Sequence, residues 1–127
     1  MVPYFLGKIG PETFQHEVQN DDLVLLATDG VLDNIFPEHM LKMIEEQSQE
    51  KLQSAKELTQ LADTIAQTAF TLSQDSEFLS PFYINARKDA DPKVQEKYKD
   101  KTGGKIGDIT IIVGKVNLRK KGWSFFK

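Results

Sequence analysis

The sequence predicts an α+β domain in which antiparallel strands pack under two helices, and three stretches carry that expectation. Leu23 to Thr28 is an almost unbroken apolar run that delivers Asp29 and Gly30 at its end. Ile109 to Val116 is rich in β-branched residues, which suit a pleated, half-buried surface. Between them Ala55, Leu58, Leu61, Ala62, Ile65, Ala69 and Leu72 recur at helical spacing, so one helix face is apolar and reads as core.

Each element has its own local reason. Phe14, His16 and Val18 alternate with Gln15, Glu17 and Gln19, the period of a strand with one covered face. Asn20-Asp21-Asp22 is a turn signal. So short a connection predicts that residues 14–19 and 23–28 form a hairpin. The apolar run at 23–28 also predicts a strand covered on both faces. A helix is predicted from Pro37, because proline suits the first helical position, with Met40, Leu41 and Ile44 as its apolar stripe. Ser54-Ala55-Lys56-Glu57 is a capping box that opens the long helix. Leu79 to Ala86 reads as a proline-containing aromatic loop, and Arg87 to Lys101 as a lysine-rich solvated segment with one short helix. Together they form a long excursion of the kind that is commonly functional. The sequence carries no internal repeat and no low-complexity tract.

Composition excludes several classes. At 127 residues the chain has the length of about one ordinary domain, and 39% hydrophobic residues argue against disorder over most of it. A net charge of -3 lacks the basic excess expected of a general nucleic-acid binder. With no cysteine there is neither a disulfide nor a thiolate zinc site, which fits an intracellular protein. No apolar run reaches the roughly 18 residues that span a bilayer. Met1 to Gly10 is too short and too weakly basic to read as a signal or transit peptide.

Chemistry concentrates where strands end. Asp29 follows an apolar strand and precedes Gly30, Asp33 lies four residues on, and Asp108 opens the last strand. These are hard oxygen donors of the kind that hold Mg²⁺ or Mn²⁺. The same residues have plainer readings. Asp-Gly after a strand is a common turn, Asp33-Asn34 ahead of Pro37 suits a helix cap, and Asp108 suits a turn. His16 and His39 have no partner at ligand spacing, Ser80 and Thr110 have no adjacent base, and there is no glycine-rich phosphate loop. The tail from Asn117 to Lys127 mixes Arg119, Lys120 and Lys121 with Trp123, Phe125 and Phe126, which reads either as a frayed terminus or as a surface for a membrane or a partner.

The order of motifs resembles the C-terminal part of the type 2C metal-dependent Ser/Thr protein phosphatases. The residues that carry the resemblance are Ala27-Thr28-Asp29-Gly30 with Asp33-Asn34, and then Gly103-Gly104-Lys105 followed by Ile106, Gly107, Asp108, Ile109 and Thr110. Ser80-Pro81-Phe82 looks like an insert of the family's mitochondrial branch. The resemblance spans residues 3–116, leaving residues 117–127 as a separate basic and aromatic tail.

The resemblance implies half of an αββα sandwich. It also implies a binuclear Mn²⁺ or Mg²⁺ site that activates water against a phosphoserine or phosphothreonine protein substrate, and a mitochondrial or cytoplasmic location. Asp29 matches a ligand of that site and Asp33 a residue linked to an additional metal position. Two departures stand out. Gly107 occupies the position of a ligand aspartate, and Asp108 replaces it only through a local shift or bulge of the strand. The family's N-terminal half, with the remaining metal-binding aspartates, has no counterpart here. The expected function is therefore the C-terminal portion of a metal-dependent Ser/Thr phosphatase, inactive alone, or else a non-catalytic module of the same type that binds a partner. Asp29-Gly30-Val31-Leu32 also looks superficially like the haloacid dehalogenase-type phosphatases, but Ala27 stands where their nucleophilic aspartate is required. A half-sandwich leaves open strand edges, so the isolated chain is expected to self-associate, and a strictly monomeric mass at high concentration would count against this.

Overall fold

The computed structural model describes residues 11–47 and 52–118. In chain order these form β1 (Leu23–Ala27), α1 (Asp29–Leu32), α2 (Pro37–Glu45), α3 (Ala55–Ser73), α4 (Pro81–Arg87), α5 (Pro92–Tyr98) and β2 (Ile111–Lys115). The architecture is α+β with an antiparallel sheet, as predicted, and among the described residues it has five helices, where two packing helices and one short one were expected.

The strand pairing departs from the expected hairpin. β1 pairs with β2, in a register that runs from Leu23 opposite Lys115 to Ala27 opposite Ile111. Residues 11–19 have no regular structure, and Phe14 and Val18 are exposed. The turn signal was sound: Asp21 has a positive φ of 73°, and the Asp22 amide donates to the Gln19 carbonyl at 3.2 Å. It delivers the chain into β1 from an irregular segment, because alternation in a sequence specifies a face and not a partner. The β-branched residues of β2 supply the better cross-strand surface.

Only one face of β1 is covered. Leu23, Leu25 and Ala27 point into the core, whereas Val24 and Leu26 are exposed, as is Ile112 opposite Leu26. The unbroken apolar run had predicted cover on both faces; among the described residues the second face has none.

The core lies between the inner face of the sheet and α3. Leu61, Ile65 and Ala69 of the long helix meet Val31, Ile35, Met43, Ile44, Leu52 and Leu23 in one buried cluster. The α3 stripe read from the sequence is therefore the helix face that packs on the sheet. The Ser54 hydroxyl caps α3 by accepting from the Glu57 amide at 3.3 Å and donating to the Glu57 carboxylate at 3.0 Å. Pro37 opens α2 at its first turn, as expected.

Leu79 to Ala86 is not a loop. Ser80 is fully buried and caps α4 with its side chain, and Pro81 takes the first turn. This is the signal that marked α2, made harder to read by the aromatic residues after it. The predicted short helix within residues 87–101 is α5, capped by Asp91. Residues 119–127, which hold most of the basic and aromatic tail, lie outside the described residues, as do residues 1–10. No described helix is long and apolar enough to cross a membrane.

Candidate functional site

The site is built where β1 runs into α1 and the irregular segment before β2, residues 105–110, passes beside it. Asp29 opens α1 and Asp33 closes it, and the Asp33 amide donates to the Asp29 carbonyl at 2.7 Å. Their spacing of four residues puts both carboxyl groups on one side of a single turn. The Asp33 carboxyl titrates above the ordinary 3.8; burial is the larger cause and the Asp29 charge adds to it, while Lys105 pulls the other way.

That shift sets a pH dependence. The folded chain holds the Asp33 proton more tightly than the unfolded chain does, so this group contributes stability at low pH and loses it as pH rises from 3.8 through its raised value. Asp33→Asn removes the loss. Thermal unfolding is expected to show the variant gaining on the native chain between pH 3 and pH 7; an equal offset at both would refute the assignment.

Asn34 locks the turn in place. It is fully buried, and its Nδ2 donates to the carbonyls of Gly30 at 2.8 Å and Lys105 at 2.7 Å. Its Oδ1 accepts from the Lys105 amide at 2.8 Å. One amide thus ties α1 to a segment 71 residues away. Thr28 does the same on the other side: its hydroxyl donates to the Asp108 carbonyl at 2.6 Å and accepts from the Thr110 amide at 3.0 Å. The Gly103-Gly104 pair lets the chain pass the end of α3, since a Cβ on Gly104 would sit 2.0 Å from the Leu72 carbonyl oxygen.

Asp29 and Asp33 are brought together. Asp108 approaches the turn through its main chain, and its carboxylate is not among the charges that shift Asp33. Gly107 faces the turn with room to spare: a Cβ there would meet only the Gly30 Cα, at 3.8 Å. Among the described residues no group of three or more His, Asp or Glu is placed to hold a metal ion by itself. Two carboxyl groups on one turn are hard oxygen donors, and the charge of one opposes ionisation of the other, so they fit a divalent cation as part of its ligand set.

No family model matches the chain. It is 32% identical over 103 residues to probable protein phosphatase 2C 26 of Arabidopsis thaliana, covering 79% of this chain and 32% of that protein. It is 38% identical over 105 residues to the protein phosphatase PTC7 homolog fig of Drosophila erecta, covering 83% of this chain and 30% of that protein. The crystal structure of the photosystem II phosphatase PBCP superposes with a TM-score of 0.62 at 30% identity, over 80% of this chain and 38% of that one. The chain carries part of a type 2C phosphatase domain. It spans about a third of the length of the curated relatives it matches.

Within that family part, the residues that sequence reading missed are the positioning ones. In the sequence Asn34 reads as a helix cap and a motif member, and Thr28 and Lys105 only as members of motifs. Their partners lie 71 to 82 residues away, and no local pattern announces such contacts. The spacing of Asp29 and Asp33 was the one geometric signal on the surface of the sequence.

Proposed function

We propose that this chain is the portion of a metal-dependent protein Ser/Thr phosphatase that supplies Asp29 and Asp33 to a Mn²⁺ or Mg²⁺ site, and that it does not hydrolyse phosphomonoesters alone. The observation that carries the reading is the paired carboxyl groups on α1, held against the Lys105 to Thr110 segment by Asn34 and Thr28. A bound divalent cation would supply a water of lowered pKa and neutralise charge on the phosphoryl oxygens. The work of this chain's residues is positional. Asp29 and Asp33 offer carboxylate oxygens from a rigid turn, which a mobile loop would not keep in register. Lys105 holds a positive charge near Asp33.

Gly107 supports the second reading, a non-catalytic module of the same family, because glycine offers no oxygen where the type 2C motif has a ligand. A chimera separates the two. In it, this chain replaces the matching part of an active type 2C phosphatase, and Mn²⁺-dependent hydrolysis of p-nitrophenyl phosphate is measured. The catalytic reading expects turnover that falls at least about 100-fold with Asp29→Ala. An inactive chimera revived by Gly107→Asp would favour the non-catalytic module. Activity that ignores Asp29→Ala, or a chimera that stays dead with Gly107→Asp, would sink the phosphatase reading of this site.

A further inference from the structure

Beside the acidic turn, α4 and α5 build a second surface whose chemistry is the opposite. Phe82, Tyr83 and Tyr98 form an aromatic triangle with ring centroids 5.1, 5.8 and 5.9 Å apart. Three ammonium groups rest on it. Lys97 and Lys101 lie 5.1 and 5.4 Å from the centre of the Tyr98 ring, and Lys105 lies 4.8 Å from that of Phe82. The rings are half-buried and the lysines exposed, so the aromatic faces act as a floor and the cations as a rim.

The surface is fixed to the site. The Phe82 amide donates to the Asp33 carbonyl at 3.1 Å, and Lys105 is the cation that acts on the Asp33 carboxyl. The far end is fixed by Arg87, whose guanidinium donates to the carbonyls of Tyr98 at 3.4 Å and Lys101 at 2.9 Å. Arg87 is thereby engaged with main chain, which leaves the lysines as the exposed cations.

The charge of this surface is out of keeping with the rest of the chain. Residues 87–105 hold seven basic and four acidic residues, in a chain whose net charge is -3. Lys99 is paired with Glu96 at 2.7 Å, but among the described residues Lys97, Lys101 and Lys105 have no carboxylate within ion-pair distance. Cations gathered on adjoining rings repel one another, and each ring offsets only part of that cost. An incoming carboxylate would relieve it.

We propose that the α4–α5 surface recognises acidic side chains that flank the phosphorylated residue of a protein substrate. This rests on the phosphatase reading for its place in catalysis, but not for the binding itself. Lys105 stands beside Asp33 and over Phe82, and Lys97 and Lys101 stand on the adjoining Tyr98 ring, so the surface begins at the candidate site and leads away from it. Charge complementarity selects an acidic segment, and the aromatic floor accommodates its apolar stems.

The test uses this chain and fluorescent peptides of equal length, one with Asp and Glu at the flanking positions and one with Asn and Gln, both unphosphorylated and without Mn²⁺. The acidic peptide is expected to bind about tenfold more tightly at low salt, and the preference to shrink as salt rises. Lys97→Glu with Lys101→Glu should reduce the preference about fivefold. Lys42→Glu and Lys56→Glu, which make the same charge change away from the α4–α5 surface, should leave it intact. Equal affinity for both peptides, or equal loss from both pairs of variants, would overturn the proposal. So would complete displacement by a single-stranded oligonucleotide at matched charge, which would mark a general polyanion surface. If the phosphatase reading fails and this one holds, the acidic preference persists although the chimera shows no Asp29-dependent hydrolysis. If this one fails alone, the chimera hydrolyses acidic and neutral phosphopeptides with equal kcat/KM.

Discussion

Asn34→Ala is expected to destabilise the described domain by about 3 kcal/mol, and Asn34→Asp by at least as much. The alanine leaves the Gly30 carbonyl and both main-chain groups of Lys105 without their partner, in place of a fully buried amide. A lost hydrogen bond costs roughly 1 kcal/mol, and more where the orphaned group has no water to turn to. Aspartate keeps the shape but turns a donor into an acceptor, and its charge then faces two carbonyl oxygens. Denaturant unfolding measures both. A cost below about 1 kcal/mol for either would mean that the Lys105 segment is held by something other than Asn34.

Gly30→Ala is expected to be nearly as costly, about 3 kcal/mol, for a steric reason. A Cβ at this position would lie 2.2 Å from the Asp108 carbonyl oxygen, 2.8 Å from its carbon and 3.2 Å from Ile109 Cγ1. Two of these are backbone atoms, and the Thr28 hydroxyl holds that backbone in place. No rotamer change relieves the overlap, so α1 and the segment before β2 must separate. The separation would carry Asp29 and Asp33 away from residues 107–110. Chemical-shift changes should therefore extend from Gly30 to Thr110, with the loss of stability read by denaturant. A variant as stable as the native chain, with changes confined to α1, would contradict the close approach.

What was legible in the sequence was local. The Ser54 cap, the Pro37 start and the apolar stripe of α3 each depend on residues within a few turns of one another, and all three stand as read. The pairing of β1 with β2 depends on a choice between two candidate strands, 14–19 and 109–116, and that choice rests on tertiary packing, the cross-strand surface of β2 and its contact with α3, which no local pattern carries. Ser80-Pro81 was a readable helix start that its aromatic surroundings disguised. In the site, Asp29 and Asp33 were visible because one helical turn brings them together. Asn34 is visible in the sequence as a motif member and a helix-cap residue but not as a tie, because its role is defined by Gly30 and Lys105 on separate segments. Gly107 was recognised as a departure from the type 2C motif, and the structure adds that its missing side chain would point towards Gly30.

On the proposed reading, Asp29 and Asp33 form part of a divalent-cation site and Gly107 stands where a third ligand would be. The most direct test is a Mn²⁺ titration, followed by calorimetry or by the electron paramagnetic resonance of free Mn²⁺, on the native chain, the Asp29→Asn, Asp33→Asn double variant and Gly107→Asp. Weak binding with a dissociation constant on the order of 1 mM is predicted for the native chain. It should be absent in the double variant and about tenfold tighter in Gly107→Asp, which adds a third carboxylate where there is space for one. Binding that survives the double substitution, or that ignores Gly107→Asp, would contradict this site.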